Sequence, residues 1–205
     1  MATTSTLSNR PTSEPTWDVA RLFPNQGHWS EEEYLAINTN QLIEFSHGVL
    51  EFPPMPTFSH QRIAFWLSRR MEDFVSQRRL GVAVPAPFKV QVREGKYREP
   101  DVSVMLHTHA ERMTEQFWIG ADLVVEVVSD DDRRRDLETK RREYAMAEIP
   151  EYWIVDPKLN TITVLVLDGT TYAEHGVFVF GERATSRLLA GLEVDVTAAF
   201  NAATM

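Results

Sequence analysis

Leu123-Val124-Val125-Glu126-Val127-Val128 is a continuous apolar run broken once, by a carboxylate. A run of this kind reads as a strand covered on both faces, so it commits the chain to layers of structure above and below a sheet. It also raises a chemical question. A charge inside such a strand is expensive unless it is paired or opens onto a solvent cleft, so Glu126 needs a partner.

The flanking segments supply the layers. Ser129-Asp130-Asp131-Asp132 is a strong helix start, and the helix is predicted to run to about Ala147, ahead of Pro150. Tyr152-Trp153-Ile154-Val155 reads as a second buried strand, closed by Asp156-Pro157. Upstream, Ile63, Leu67, Met71 and Phe74 recur at spacings of four and three, a helix over 59–77 that ends at Gly81. Strands are expected at 82–84, 88–92 and 101–105, with Arg93-Glu94-Gly95-Lys96 turning between the latter two and a loop or irregular helix at 106–120. Leu42-Ile43-Glu44-Phe45 and Val49-Leu50-Glu51-Phe52 flank His47-Gly48 as a β-hairpin, which Pro53-Pro54-Met55-Pro56 stops. A capping box, Ser30 to Glu33, opens a short helix before it. A second hairpin turns at Asp168-Gly169, and a last strand and short helix follow Leu188. This order predicts a mixed α/β sandwich with helices on a sheet. With no internal repeat or linker, residues 1–16 read as a flexible lead and 17–205 as one domain.

Composition narrows the chemistry. The chain has no cysteine, which removes disulfides, thiolate zinc sites and cysteine nucleophiles and suits a reducing cytoplasm. The N-terminal Met1–Ser13 lacks the apolar segment of a signal peptide, and no stretch approaches membrane-spanning length, so a cytoplasmic protein without a membrane partner is expected. A formal net charge of −9 argues against a protein that coats nucleic acid indiscriminately, but not against an enzyme working through a bound cation. The basic pairs and triplets, such as Arg69-Arg70 and Arg133-Arg134-Arg135, read mostly as solvated helix faces.

Three residues then stand together: Asp101, Glu126 and Lys140. Asp101 follows Pro100 at a strand start, where the fixed proline φ sets how the strand begins. Two carboxylates on neighbouring strands can hold a hard cation. On its helix, Lys140 shares the core-facing side of Leu137 and Tyr144, so its head points to where Glu126 ends its strand. Two acids and a lysine are the equipment of metal-assisted phosphodiester cleavage. Asp136, at i−4, competes as a surface partner for Lys140. Glu44 interrupts its apolar run in the same way as Glu126 and reads either as an auxiliary acid or as a polar residue on an exposed hairpin face. His60 reads as a helix-cap or surface histidine. His107 and His109 alternate in a loop without a third ligand, a weak metal signal, and Tyr144 and Trp153 read as core.

At these residues the chain resembles the Uma-type restriction endonucleases of the PD-(D/E)XK nuclease superfamily. The resemblance is carried by Glu44 to Glu51, Pro54 to Gln61, Arg98-Glu99-Pro100-Asp101-Val102, Leu123 to Ser129, Lys140 to Ala145 and Glu151 to Pro157. It implies a restriction-endonuclease-like mixed sheet flanked by helices, with an N-terminal helix and hairpin as an extension. It also implies a homodimeric, Mg²⁺-dependent DNA endonuclease in which Mn²⁺ substitutes. Asp101, Glu126 and the Val127 carbonyl would hold the metal, Lys140 would act in catalysis, and Glu44 would assist. The superfamily pattern places its lysine two residues after the second acid, which here is Val128; the resemblance moves that role to Lys140. Two other readings stay open: a nuclease fold that has lost catalysis and serves as a DNA-binding or interaction module, and a structural sandwich in which Glu126 and Lys140 form a buried ion pair.

Overall fold

The computed structural model describes residues 23–39, 41–130 and 132–204; the segment read as a flexible lead lies outside them. A six-stranded mixed sheet runs in the order β11-β10-β9-β8-β6-β3. Its members are β3 (Gly81–Pro85), β6 (Val102–Leu106), β8 (Leu123–Val127), β9 (Glu151–Asp156), β10 (Thr161–Asp168) and β11 (Thr171–Phe178). Within this sheet only β8 and β9 pair in parallel among the described residues, and the segment joining them crosses one face of the sheet. A five-stranded sheet, in the order β2-β1-β5-β4-β7, is built from β1 (Glu44–Ser46), β2 (Val49–Glu51), β4 (Lys89–Arg93), β5 (Lys96–Arg98) and β7 (Phe117–Ile119). A small pair, β12 (Arg183–Thr185) and β13 (Glu193–Asp195), completes the strands.

The β8 run is buried at every position, as its composition requires. Val125 and Val127 face the long helix α2 (Phe58–Gln77), packing with Ile63, Leu67 and Met71. Val124 and Val128 face the other way, toward Tyr144 and Tyr152. Strand alternation therefore aims Glu126 at the second layer. That layer contains α3 (Arg141–Met146); α1 (Glu31–Leu35) and α4 (Val196–Asn201) cap other parts of the molecule.

Several boundaries depart from expectation. The turn at 93–96 joins β4 to β5, a short strand that precedes Pro100, rather than to β6. β7 and β12 were not anticipated, and β11 extends to Phe178. The helix α2 does not end on Gly81: Arg79 takes the left-handed turn (φ 56°), and Leu80 N–H donates to the Val75 carbonyl. Gly81 is needed instead because a Cβ there would run into the backbone of Met105 and Leu106. The helix expected from Asp130 is helical from Arg133, and its stretch Arg135–Lys140 is wound as a π-helix before α3. The Tyr152 hydroxyl donates to the Asp136 carbonyl at 2.9 Å, and a side chain inserted into the backbone ladder in this way loosens the winding. Turns of this kind concentrate at functional sites.

Candidate active site

Asp101 meets Val127 where the β6–β8 pairing stops. The ladder ends at the Val102–Val125 pair, and Pro100, without an N–H, cannot extend it. The Val127 N–H instead donates to Asp101 Oδ2 at 2.7 Å. The other carboxylate oxygen, Oδ1, lies 2.8 Å from His60 Nε2. Asp101 is therefore clamped by one backbone and one side-chain donor, with lone pairs left on both oxygens.

Glu126 is 3% exposed. Its Oε2 accepts from Lys140 Nζ at 2.8 Å, and its Oε1 accepts from the Tyr144 hydroxyl. Lys140 also lies 3.2 Å from Asp136 Oδ1. The pairing of Lys140 with Asp136 was legible, but its surface location was not: both side chains are buried. Burial pushes the Glu126 carboxyl up, Lys140 opposes that, and Asp101 and Asp136 add to it. Burial alone would push the Lys140 ammonium down, but Glu126, Glu44, Asp136 and Asp101 outweigh it and hold the group above its ordinary value. Lys140 is a cation at any physiological pH, surrounded by more carboxylates than it can pair.

Glu44 is buried rather than exposed on its hairpin, and two arginines hold it: Arg98 Nη1 at 2.9 Å and Arg135 Nη2. Burial opposes its ionisation, but Lys140, Arg98 and Arg135 keep its carboxyl below the ordinary value. Glu51 joins both arginines, and Arg98 continues to Glu143 at 2.7 Å. This network ties the hairpin to β5 and to the π-helical turn.

Asp101, Glu126, Lys140, Glu44 and Val127 all line one cavity of about 570 Å³, together with His60, Asp136 and Arg135. Glu99 also borders it; burial and the nearby Glu44 push its carboxyl up to about 7 against the pull of Lys89. Among the described residues no three His, Cys, Asp or Glu side chains already converge as a metal-binding group. The set fitting a hard cation is thus two carboxylates with free lone pairs and the Val127 carbonyl, completed by water. Softer donors on this wall are the His60 ring and the Met55 thioether.

Sequence reasoning placed His60 at a surface or cap, and this is corrected. The Thr57 side chain caps the helix through the His60 N–H, while the His60 ring turns inward to Asp101. Its one signal was membership of the Pro54–Gln61 segment. Arg98 and Arg135 were also missed, because an arginine in a polar stretch gives no sign of burial. His109 binds Asp122 at 2.7 Å and His107 approaches the Arg79 carbonyl, so the two imidazoles share no partner. Tyr144 and Trp153 are core residues as expected, but the Tyr144 hydroxyl also reaches the site.

The fold has a solved counterpart. The crystal structure of “a putative nuclease belonging to DUF820” from Anabaena variabilis superimposes with a TM-score of 0.67 at 19% identity, covering 84% of this chain and 97% of that one. At that identity the likeness concerns the fold: a mixed sheet flanked by helices, as the resemblance implied. A comparison with curated proteins gives no match. Residues 30–197 match the model of Uma2, described as “Putative restriction endonuclease”, and the chain belongs to that nuclease family.

Proposed function

We propose that this chain is a metal-dependent DNA endonuclease, with residues 17–205 forming a single catalytic domain that works as a homodimer in a reducing cytoplasm. The observation that carries the reading is the convergence of Asp101, Glu126 and Lys140 on one acid-rich cavity. Asp101, Glu126 and the Val127 carbonyl would hold Mg²⁺, or Mn²⁺ in its place. When bound, such a cation supplies the charge that polarises a water and neutralises a scissile phosphate. The clamp from His60 and the Val127 N–H holds the Asp101 carboxylate in one orientation, so its ligand geometry is set before substrate arrives. Lys140 keeps its proton and presents an ammonium beside Glu126, positioned to hold the attacking water or to meet charge that grows on the phosphate. Glu44 acts through its neighbours: with its charge held by Arg98 and Arg135, it fixes Arg135 on the cavity wall.

A second reading, a nuclease fold without catalysis, rests on the buried Glu126–Lys140 pair itself, since such a pair needs no cation to be satisfied. Plasmid nicking decides between them. The parent should nick with Mg²⁺ or Mn²⁺ and not with EDTA, and Lys140→Ala should nick at least ~10²-fold more slowly. A parent that neither nicks DNA nor binds Mn²⁺ in calorimetry establishes the second reading. Light scattering at micromolar concentration tests the homodimer; a monomer removes it.

A further inference from the structure

The outer face of α2 presents Phe58, Arg62, Phe65 and Arg69 at spacings of four, three and four, which places all four on one stripe about 16 Å long. Phe58 is 68% and Phe65 53% exposed, values that no packing within the described residues accounts for. The Arg69 guanidinium lies over the Phe65 ring at 5.9 Å, and Arg70 sits over Trp66 at 5.6 Å. Arg62, which also donates to the Ala202 carbonyl, Arg69 and Arg70 stand along this stretch, with Asp73 one turn beyond Arg69 and Asp195 beside Arg62. In a chain with 30 acidic residues, none falls between Glu51 and Glu72. Beside the stripe runs a groove of about 440 Å³ floored by Met55, Pro85 and Pro87, and its inner end is formed by His60 and Asp101. The same two residues stand on the wall of the acid-rich cavity, so groove and cavity share a wall.

We propose that this stripe and groove bind single-stranded DNA and lead it to the cavity. The inference rests on the nuclease reading for what happens at the far end, but not for the binding itself. Exposed aromatic rings alternating with guanidinium groups match a nucleotide chain, whose bases stack on any π-face and whose phosphates need local cations. A duplex hides its bases and would leave both phenylalanines against water. The proposed substrate is therefore DNA with an unpaired segment, such as a flap, frayed end or bubble, cut where the unpaired strand reaches Asp101 and Glu126. Net charge supports this economy: a protein at −9 gains little from general attraction to DNA and must concentrate its cations where the strand runs.

The test is fluorescence anisotropy with labelled oligo-dT of about 16 nucleotides, the upper site size for such grooves, against a duplex of equal length, both in EDTA so that no cleavage occurs. The parent should bind the single strand at least ~10-fold more tightly. Phe65→Ser and Phe58→Ser should each weaken it by ~5-fold or more while melting like the parent, and Arg69→Gln should lower the salt slope by about 0.7. Equal affinity for duplex and single strand overturns the proposal, and so do unchanged affinities in all three variants. If the serine variants instead dissociate a dimer and leave DNA binding intact, the stripe is a contact between copies of this chain and the proposal falls. Because binding is read without metal, the two readings fail separately. A parent that nicks plasmid but shows no single-strand preference refutes only the groove, whereas one that binds the strand and never nicks refutes only the nuclease.

Discussion

Lys140→Met should destabilise the folded chain severely, and the structure sets the size of the effect. Lys140 is 7% exposed, and its ammonium contacts Glu126 at 2.8 Å and Asp136 at 3.2 Å. Methionine fills similar volume, so packing changes little and the cost is electrostatic. Removing one partner of a buried pair leaves an uncompensated charge and costs about 3–5 kcal/mol. The lower end is expected, because burial already favours the protonated form of Glu126 and a proton can replace the lost cation. For a chain of this size each kcal/mol is about 2–4 °C in melting temperature, so calorimetry in EDTA should show a drop of ~6–20 °C. Adding Glu126→Gln removes the orphaned carboxylate and should recover part of the loss, with a coupling energy of about 2–3 kcal/mol. If Lys140→Met melts within ~2 °C of the parent, or the two substitutions add independently, the buried ion cluster does not exist in solution and the site built on it fails.

Three further outcomes follow from the same contacts. Asp101→Asn should weaken Mn²⁺ binding by ~10-fold or more in calorimetric titration, since an amide oxygen is a poorer ligand for a hard cation; unchanged affinity would place the metal elsewhere. Tyr144→Phe removes the donor to Glu126 Oε1 and should cost about 1–3 kcal/mol in denaturant unfolding, with the fold intact by circular dichroism. Burial opposes ionisation of Glu143, but Arg98 and Lys96 outweigh it and hold its carboxyl below 4.5. A depressed carboxylate stabilises the fold above its unfolded pKa and loses that contribution as the pH falls through the folded value. The melting gap between parent and Glu143→Gln should thus be full near neutral pH and close below about pH 4.5; a gap independent of pH would show that the Arg98 ion pairs contribute nothing.

How much of the fold and site is legible in the sequence depends on what each signal reports. β8, β9 and α2 are readable because apolar periodicity records burial directly, and burial at these positions is near complete. The short β5, β7 and β12 are not: three residues carry no period, and the equally short β1 and β2 are legible only through the His47-Gly48 turn between their apolar runs. Among site residues the same division holds. Glu126 announces itself as a charge in an apolar run. Arg98 and His60 do not, because each sits among residues that tolerate exposure, and their burial comes from long-range pairing: Arg98 meets Glu44 from β1, and His60 meets Asp101 from the strand start.

Pro100 shows the middle case. The sequence identifies a proline before an aspartate, which says only that a strand begins there. The structure adds what spacing cannot: the β6–β8 ladder ends at Val102, and Asp101, just beyond it, takes up the Val127 N–H with its side chain. The same reasoning explains why the lysine can sit on a helix here. Val128 follows Glu126 just past β8, on the same side of the chain, and packs with Tyr144 and Tyr152, so its place is taken up by apolar contact. The loosened turn ending at Lys140 delivers an ammonium to Glu126 from the adjoining layer instead, and Tyr152, whose hydroxyl holds the Asp136 carbonyl, belongs to the strand that layer covers. Apolar packing at one position and a cation at another are therefore a single arrangement, and a charge introduced at Val128 should destabilise the fold before it could serve the site.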